Sequence, residues 1–193
     1  MIILGDIGNT DTKICLVNND LKITKRFVLS SKIKMSQLNK SLKNLNFNKI
    51  DKILFCSVVP LAFKKFKKFF NKKTKVKCYE LKELNLKSIL KIDVNYKQVG
   101  SDRLANAIGV SNKNKNFIIV DFGTATTFDV LLGNNYKGGI ISPGIKLSLK
   151  TLSDKASLIP KINLKKMSKV IGKDTTSAVR SGFFWGYAGL IDN

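Results

Sequence analysis

Residues 6–13, Asp6-Ile7-Gly8-Asn9-Thr10-Asp11-Thr12-Lys13, place a carboxylate, a glycine bend, hydroxyls and an ammonium side by side. A bend of this make-up can turn backbone N–H groups and hydroxyls toward a phosphate, with Lys13 as a nearby cation. Asp6 could hold Mg²⁺ directly or through water, because a hard cation takes carboxylate and water oxygens. The same residues also describe an ordinary β-hairpin turn. Asp121-Phe122-Gly123-Thr124-Ala125-Thr126-Thr127 repeats the device. Its threonines offer hydroxyls to a nucleotide phosphate and Asp121 a second carboxylate for a cation, although threonine is equally a strand residue. Two such turns at corresponding places favour phosphate binding over two unrelated hairpins.

Gly100-Ser101-Asp102-Arg103 lies where a helix is expected to begin. Asp is a favoured N-cap residue, which is one use for Asp102. The other makes Asp102 a general base and Arg103 a clamp for an anionic substrate group or a transferring phosphoryl. The chain contains no histidine, so acid-base work falls to Asp, Glu, Lys, Cys or Tyr, and hydrolase triads built on histidine are excluded. Gly138-Gly139-Ile140-Ile141-Ser142-Pro143-Gly144 gives either a close backbone approach to phosphate at a helix start or a plain strand-turn-helix connection. In Gly172-Lys173-Asp174-Thr175, Thr175 is a hydroxyl contact or an N-cap. No G-x-x-x-x-G-K-[ST] loop occurs, so nucleotide binding has to rest on the hairpin turns.

Elements that could position these residues follow from pattern. Strands are expected at Met1–Ile7, Thr12–Asn18 and Leu21–Leu29, a helix through Met35, Leu38, Leu42 and Leu45, and a strand at Lys52–Val59 stopped by Pro60. A basic amphipathic helix at Leu61–Asn71, a strand at Val76–Tyr79 and a helix at Arg103–Val110 come next. The pattern then restarts with strands Phe117–Asp121, Thr127–Leu132 and Tyr136–Ile141, and helices Ile145–Ser153 and Thr175–Ile191. This long-range repeat predicts two duplicated lobes, 1–110 and 111–193, with both turns on one cleft.

The formal net charge of +22 would suit a polyanion partner, yet Arg26, Arg103 and Arg180 are the only arginines. Lysine is the poorer residue for bidentate phosphate and base contacts, so the excess reads as compositional bias on solvated faces. Neither nucleic acid nor a membrane is expected as a partner. Cys15, Cys56 and Cys78 are odd in number with no C-x-x-C spacing, which points to a reduced, cytoplasmic setting without disulfides or zinc.

The segments D-I-G-N-T, G-S-D-R, D-F-G-T-A-T-T, G-G-I-I-S-P-G and G-K-D-T occur in the order found in type III pantothenate kinases, which the chain resembles over essentially its whole length. The resemblance implies an α/β, duplicated ribonuclease H-like (actin-like ATPase) two-lobe fold. It implies transfer of the ATP γ-phosphoryl to pantothenate, the first step of coenzyme A synthesis. Asp6, Ile7, Gly8, Asn9, Thr10, Asp11, Thr12, Lys13 and Thr124 would bind ATP, with Mg²⁺ at Asp6 and K⁺ or NH₄⁺ at Asp121. Gly100, Ser101, Asp102, Arg103 and Thr175 would hold pantothenate, with Asp102 accepting the proton. A homodimer is implied as well. Where the family usually carries a pantothenate-contacting tyrosine, seven residues before the motif glycine, this chain has Asp93, with Tyr96 nearby. The family normally continues past the trailing glycines, so the second lobe is expected to be incomplete, to expose apolar surface and to impair the chain. A kinase for another small metabolite, or a non-catalytic regulator using the basic face of Leu61–Asn71, are the competing readings.

Overall fold

The computed structural model describes residues 1–192. Strands β1 (Ile2–Ile7), β2 (Asp11–Val17), β3 (Ile23–Ser30), β4 (Lys52–Ser57) and β5 (Cys78–Glu80) form one sheet in the order β3-β2-β1-β4-β5. Strand β2 runs antiparallel to β1 and β3, whereas β4 lies parallel to β1 and β5 parallel to β4. Parallel neighbours need a crossover, which α1 (Met35–Ser41) and α2 (Pro60–Lys73) supply. Strand β4 ends at Ser57, short of Pro60, which opens α2 at a position where its missing N–H is not needed. Helix α2 turns Phe63, Phe66, Phe69 and Phe70 inward and leaves most of its lysines outside. Phe55 of β4 meets the rings of Phe63, Phe66 and Phe70 at centroid distances of 6.2, 5.9 and 5.7 Å. These rings, with Ile3, Ile7, Ile14 and Leu38, make the first core cluster.

A second sheet has the order β6-β9-β8-β7, from β6 (Lys91–Ile92), β7 (Asn116–Phe122), β8 (Ala125–Leu132) and β9 (Asn135–Pro143). Three consecutive strands, β7, β8 and β9, lie side by side here as β1, β2 and β3 do in the first sheet. Helix α3 (Ser101–Val110) contributes Leu104 and Ala107 to a second cluster with Leu81, Leu90, Leu131 and Tyr136. Strand β6 and the 3₁₀ turns Phe47–Lys49, Leu81–Glu83 and Leu86–Ser88 were not foreshadowed, being too short to show a period.

By compactness the chain divides within β7, β8 and β9. One unit is Met1–Ile119 with Asp129–Gly138; the other is Val120–Phe128 with the chain from Gly139 on. Both core clusters belong to the first unit. The second unit contains α4 (Ile145–Lys155) and α5 (Thr175–Asp192). Tyr187 of α5 donates to Pro143 O at 2.7 Å and shares a 3.2 Å hydrogen bond with Ser148 of α4. This unit buries Leu149 and Ile162 but exposes Ile140, Ile141, Leu158 and Ile171.

Candidate active site

Asp6 and Cys56 are register partners near the carboxyl ends of the parallel strands β1 and β4. Ligands of open α/β sheets bind outside those ends. The Asp6 carboxylate is about half exposed, with Lys13 Nζ 3.9 Å away. The Cys56 thiol donates to Asp6 Oδ1 and to Gly5 O, each at 3.6 Å. Burial, and then the negative charges of Asp6 and Asp102, push that thiol well above its ordinary pKa. Cys56 is therefore a neutral donor beside two carboxylates, not a nucleophile.

Helix α3 is fastened to the end of β4 by Ser101 Oγ, which donates to Ser57 O at 3.2 Å. The sequence allowed Asp102 to be the N-cap, but Gly100 occupies that position and no side chain caps it. Asp102 lies in the first turn, where a carboxylate is favoured by the helix dipole, and its Oδ1 accepts from Arg103 N at 2.8 Å.

Arg103 reaches down to the second sheet. Its Nε donates to Asp129 Oδ1 at 2.8 Å, and its Nη2 lies 2.5 Å from the same oxygen. The Tyr136 hydroxyl donates to that oxygen too, at 2.5 Å. Asp129 is fully buried and the Arg103 side chain is 14% exposed. Burial alone would lower the Arg103 pKa, but the hydrogen bond and charge of Asp129 outweigh it and raise it. Burial, reinforced by the hydrogen bond to Asp129, raises the Tyr136 hydroxyl. Neither Asp129 nor Tyr136 stood out in the sequence. The available signal was a carboxylate sharing the inward face of β8 with Leu131, since a buried carboxylate demands a partner.

In the first hairpin, Gly8 N donates to Asp11 O at 3.0 Å. Ile7 and Thr12 are fully buried. Thr12 Oγ1 shares a 2.9 Å hydrogen bond with Ser31 Oγ, which donates to Gly8 O at 2.6 Å. Ser31, not anticipated from sequence, thus locks the turn from behind. Ile7 and Thr12 expose no side chain, whereas Asn9, Thr10, Asp11 and Lys13 present exposed side chains.

Within the second unit, Asp121 and Thr124 are exposed on either side of Gly123. Gly123 N donates to Ala125 O at 2.9 Å and Gly144 N to Thr124 O at 3.0 Å. A Cβ on Gly144 would stand 2.4 Å from Gly123 O, so this close backbone approach requires glycine. The hydroxyls of Thr126 and Thr127 are buried without a protein partner. Thr175 opens α5 with an exposed side chain, but the capping role belongs to Asp174, whose Oδ1 accepts from Ser177 N at 2.9 Å. Hydrogen bonds from Ser177 hold the Asp174 carboxyl below the usual range.

Asp93 is ion-paired with Lys137 at 2.7 Å and Lys91 at 3.7 Å, and Tyr96 donates its hydroxyl to Lys82 O at 3.2 Å. Among the described residues no three or more Cys, Asp or Glu side chains group as metal ligands, and no helix is long and apolar enough to cross a membrane.

Residues 2–193 match the family model of type III pantothenate kinases. The chain is 67% identical over 196 residues to the type III pantothenate kinase of Pelagibacter ubique, covering all of this chain and 79% of that protein. The type III pantothenate kinase of Hyphomonas neptunium is 34% identical over 202 residues, with the same shares covered. Among solved structures, a Campylobacter jejuni protein described as a Baf family transcriptional activator superposes with a TM-score of 0.60 at 24% identity, over 98% of this chain and 77% of that one. A Sinorhizobium meliloti structure described as a 2-dehydro-3-deoxygalactonokinase gives 0.57 at 9% identity, over 100% and 82%. These two likenesses establish a shared mixed α/β fold.

Proposed function

We infer the reaction from the family: the chain belongs to the type III pantothenate kinases, and it is a kinase that phosphorylates pantothenate with ATP in coenzyme A biosynthesis. The residue roles that follow are our reading. The observation that carries them is the meeting of Asp6, Cys56 and the first turn of α3 at the carboxyl ends of β1 and β4.

In this reading the hairpin from Asp6 to Lys13 binds ATP, with Thr124 as a further nucleotide contact. The half-exposed Asp6 carboxylate suits Mg²⁺, which binds through one or two carboxylates and substrate phosphates and needs no all-protein cage. Bound there, Mg²⁺ would neutralise phosphate charge. The exposed Asp121 carboxylate is an oxygen donor fit for K⁺ or NH₄⁺. Gly100, Ser101, Arg103 and Thr175 hold pantothenate. Asp102 takes the proton of its hydroxymethyl group, a role favoured by the absence of any histidine. The two lobes 1–110 and 111–193 are part of the same reading. So is a homodimer, supported by the exposed Ile140 and Ile141, and so is residence in the cytoplasm, supported by three free cysteines.

The test is formation of 4′-phosphopantothenate from ATP and pantothenate with Mg²⁺ and K⁺, followed by mass spectrometry. Asp102→Asn is expected to lower turnover about 10²–10⁴-fold with ATP affinity retained. Full turnover in Asp102→Asn would overturn the base, and a different phosphorylated acceptor would overturn the substrate.

A further inference from the structure

We propose that Asp129 and Tyr136 are positioning residues that aim the Arg103 guanidinium at the anionic end of the substrate. The inference rests on the reading in which Arg103 contacts pantothenate.

Buried arginine–carboxylate pairs whose only task is to hold a fold are strongest side-on, two N–H groups on two oxygens. Here a single oxygen does everything. Oδ1 of Asp129 accepts from Arg103 Nε and from the Tyr136 hydroxyl and carries the ion pair to Nη2. Oδ2 is buried without a partner, and Nη2 makes no well-aligned hydrogen bond despite its closeness. A guanidinium has five N–H donors in a rigid fork. Anchoring it through Nε, with Nη2 buried against the same oxygen, leaves the Nη1 amino group as the donor that can face a carboxylate or phosphoryl oxygen.

Rigidity comes from below. Asp129 sits on β8 and Tyr136 on the neighbouring β9, both fully buried, and Tyr136 belongs to the cluster that also contains Leu104, the next residue after Arg103. A site group mounted on a sheet through locked partners is held more closely than one on a loop. Tyr136 remains protonated and so always donates, which fixes the carboxylate that in turn fixes the arginine. Asp129 also balances the Arg103 charge, so an incoming anion meets a preorganised cation and not a mobile one.

Steady-state kinetics on the full chain, varying pantothenate at saturating ATP and the reverse, would decide. Tyr136→Phe is expected to raise KM for pantothenate about tenfold, the worth of a hydrogen bond to a charged group, with KM for ATP unchanged. The ring stays in the core, so this variant answers even where Asp129→Asn does not fold. In an Arg103→Lys background the Tyr136→Phe effect on KM should vanish, because both act through one contact. A Tyr136→Phe protein with a lowered melting temperature but an unchanged KM for pantothenate would overturn the proposal while Arg103→Lys still raises that KM. An unchanged KM in Arg103→Lys itself would instead overturn the underlying contact.

Discussion

A methyl group on Gly100 would stand 2.3 Å from Oδ1 of Asp102. The N-cap glycine is therefore what allows the carboxylate to fold back over its own helix start, since Gly100 has ordinary extended angles that any residue could adopt. Gly100→Ala is expected to displace Asp102 and lower turnover about 10²-fold, as a misplacement of one ångström does. The melting temperature should stay near that of the parent. Turnover and thermal melts on the same preparation check it, and an active Gly100→Ala protein would place the base elsewhere.

The pairing of Gly5 with Phe55 makes a second prediction, on stability. A Cβ at Gly5 would meet the Phe55 ring at 2.0 Å, and that ring is enclosed by Phe63, Phe66 and Phe70. Gly5→Ala should cost about 1–3 kcal/mol through overpacking, read from urea unfolding midpoints. Asp6 follows directly in the strand, so nucleotide affinity should weaken alongside.

Alkaline pH should weaken the fold through Cys78. Burial pushes this thiol up to about 12, although the Lys67 charge pulls the other way. An unfolded thiol ionises near 8.5. Below that value both states keep the proton and the contribution of Cys78 is complete. Above it the unfolded chain releases a proton that the folded chain retains, so stability is lost by up to about 1.4 kcal/mol per pH unit until pH nears 12. Unfolding free energies from pH 7.5 to 10 should fall more steeply in the parent than in Cys78→Ala. Identical slopes would show that other groups carry the loss.

Lys64, Lys68, Lys72 and Lys73 are exposed on α2, but Lys65 donates to Ile33 O at 2.9 Å and Lys67 to Glu83 at 2.9 Å. The helix thus spends part of its charge on its own neighbours. Any duplex DNA held by the four exposed lysines should lose about 10²-fold in affinity between 50 and 200 mM salt, as counterion release dictates. Anisotropy of a labelled duplex measures this, and retention at the higher salt would revive a regulatory role.

The alternating strands and the aromatic spacing of α2 were legible because burial writes a period into sequence. Glycine turns were legible too, since residues 8–11 admit few conformations. Long-range pairing was not. Nothing local in Thr12 says that its hydroxyl meets Ser31, nor in Arg103 that Asp129 awaits it. Asp102 looked like an N-cap because Asp often is one, yet the neighbouring glycine took the position and freed the carboxylate. Thr175 lost the capping role to Asp174 in the same way.

Leu131 and Tyr136 arrive on a ten-residue excursion, Asp129–Gly138, that returns to a unit begun at Met1. During synthesis the first core cluster, drawn from Ile3 through Cys78, can close while later residues are still being added. The second cannot, because Leu81 and Leu104 must wait for those strands and meet the entropy of a longer loop. The nascent chain should therefore show α3 exposed to protease after the first sheet is already protected. Arg103, made 26 residues before its partner, stays without that counter-charge until translation has passed Asp129.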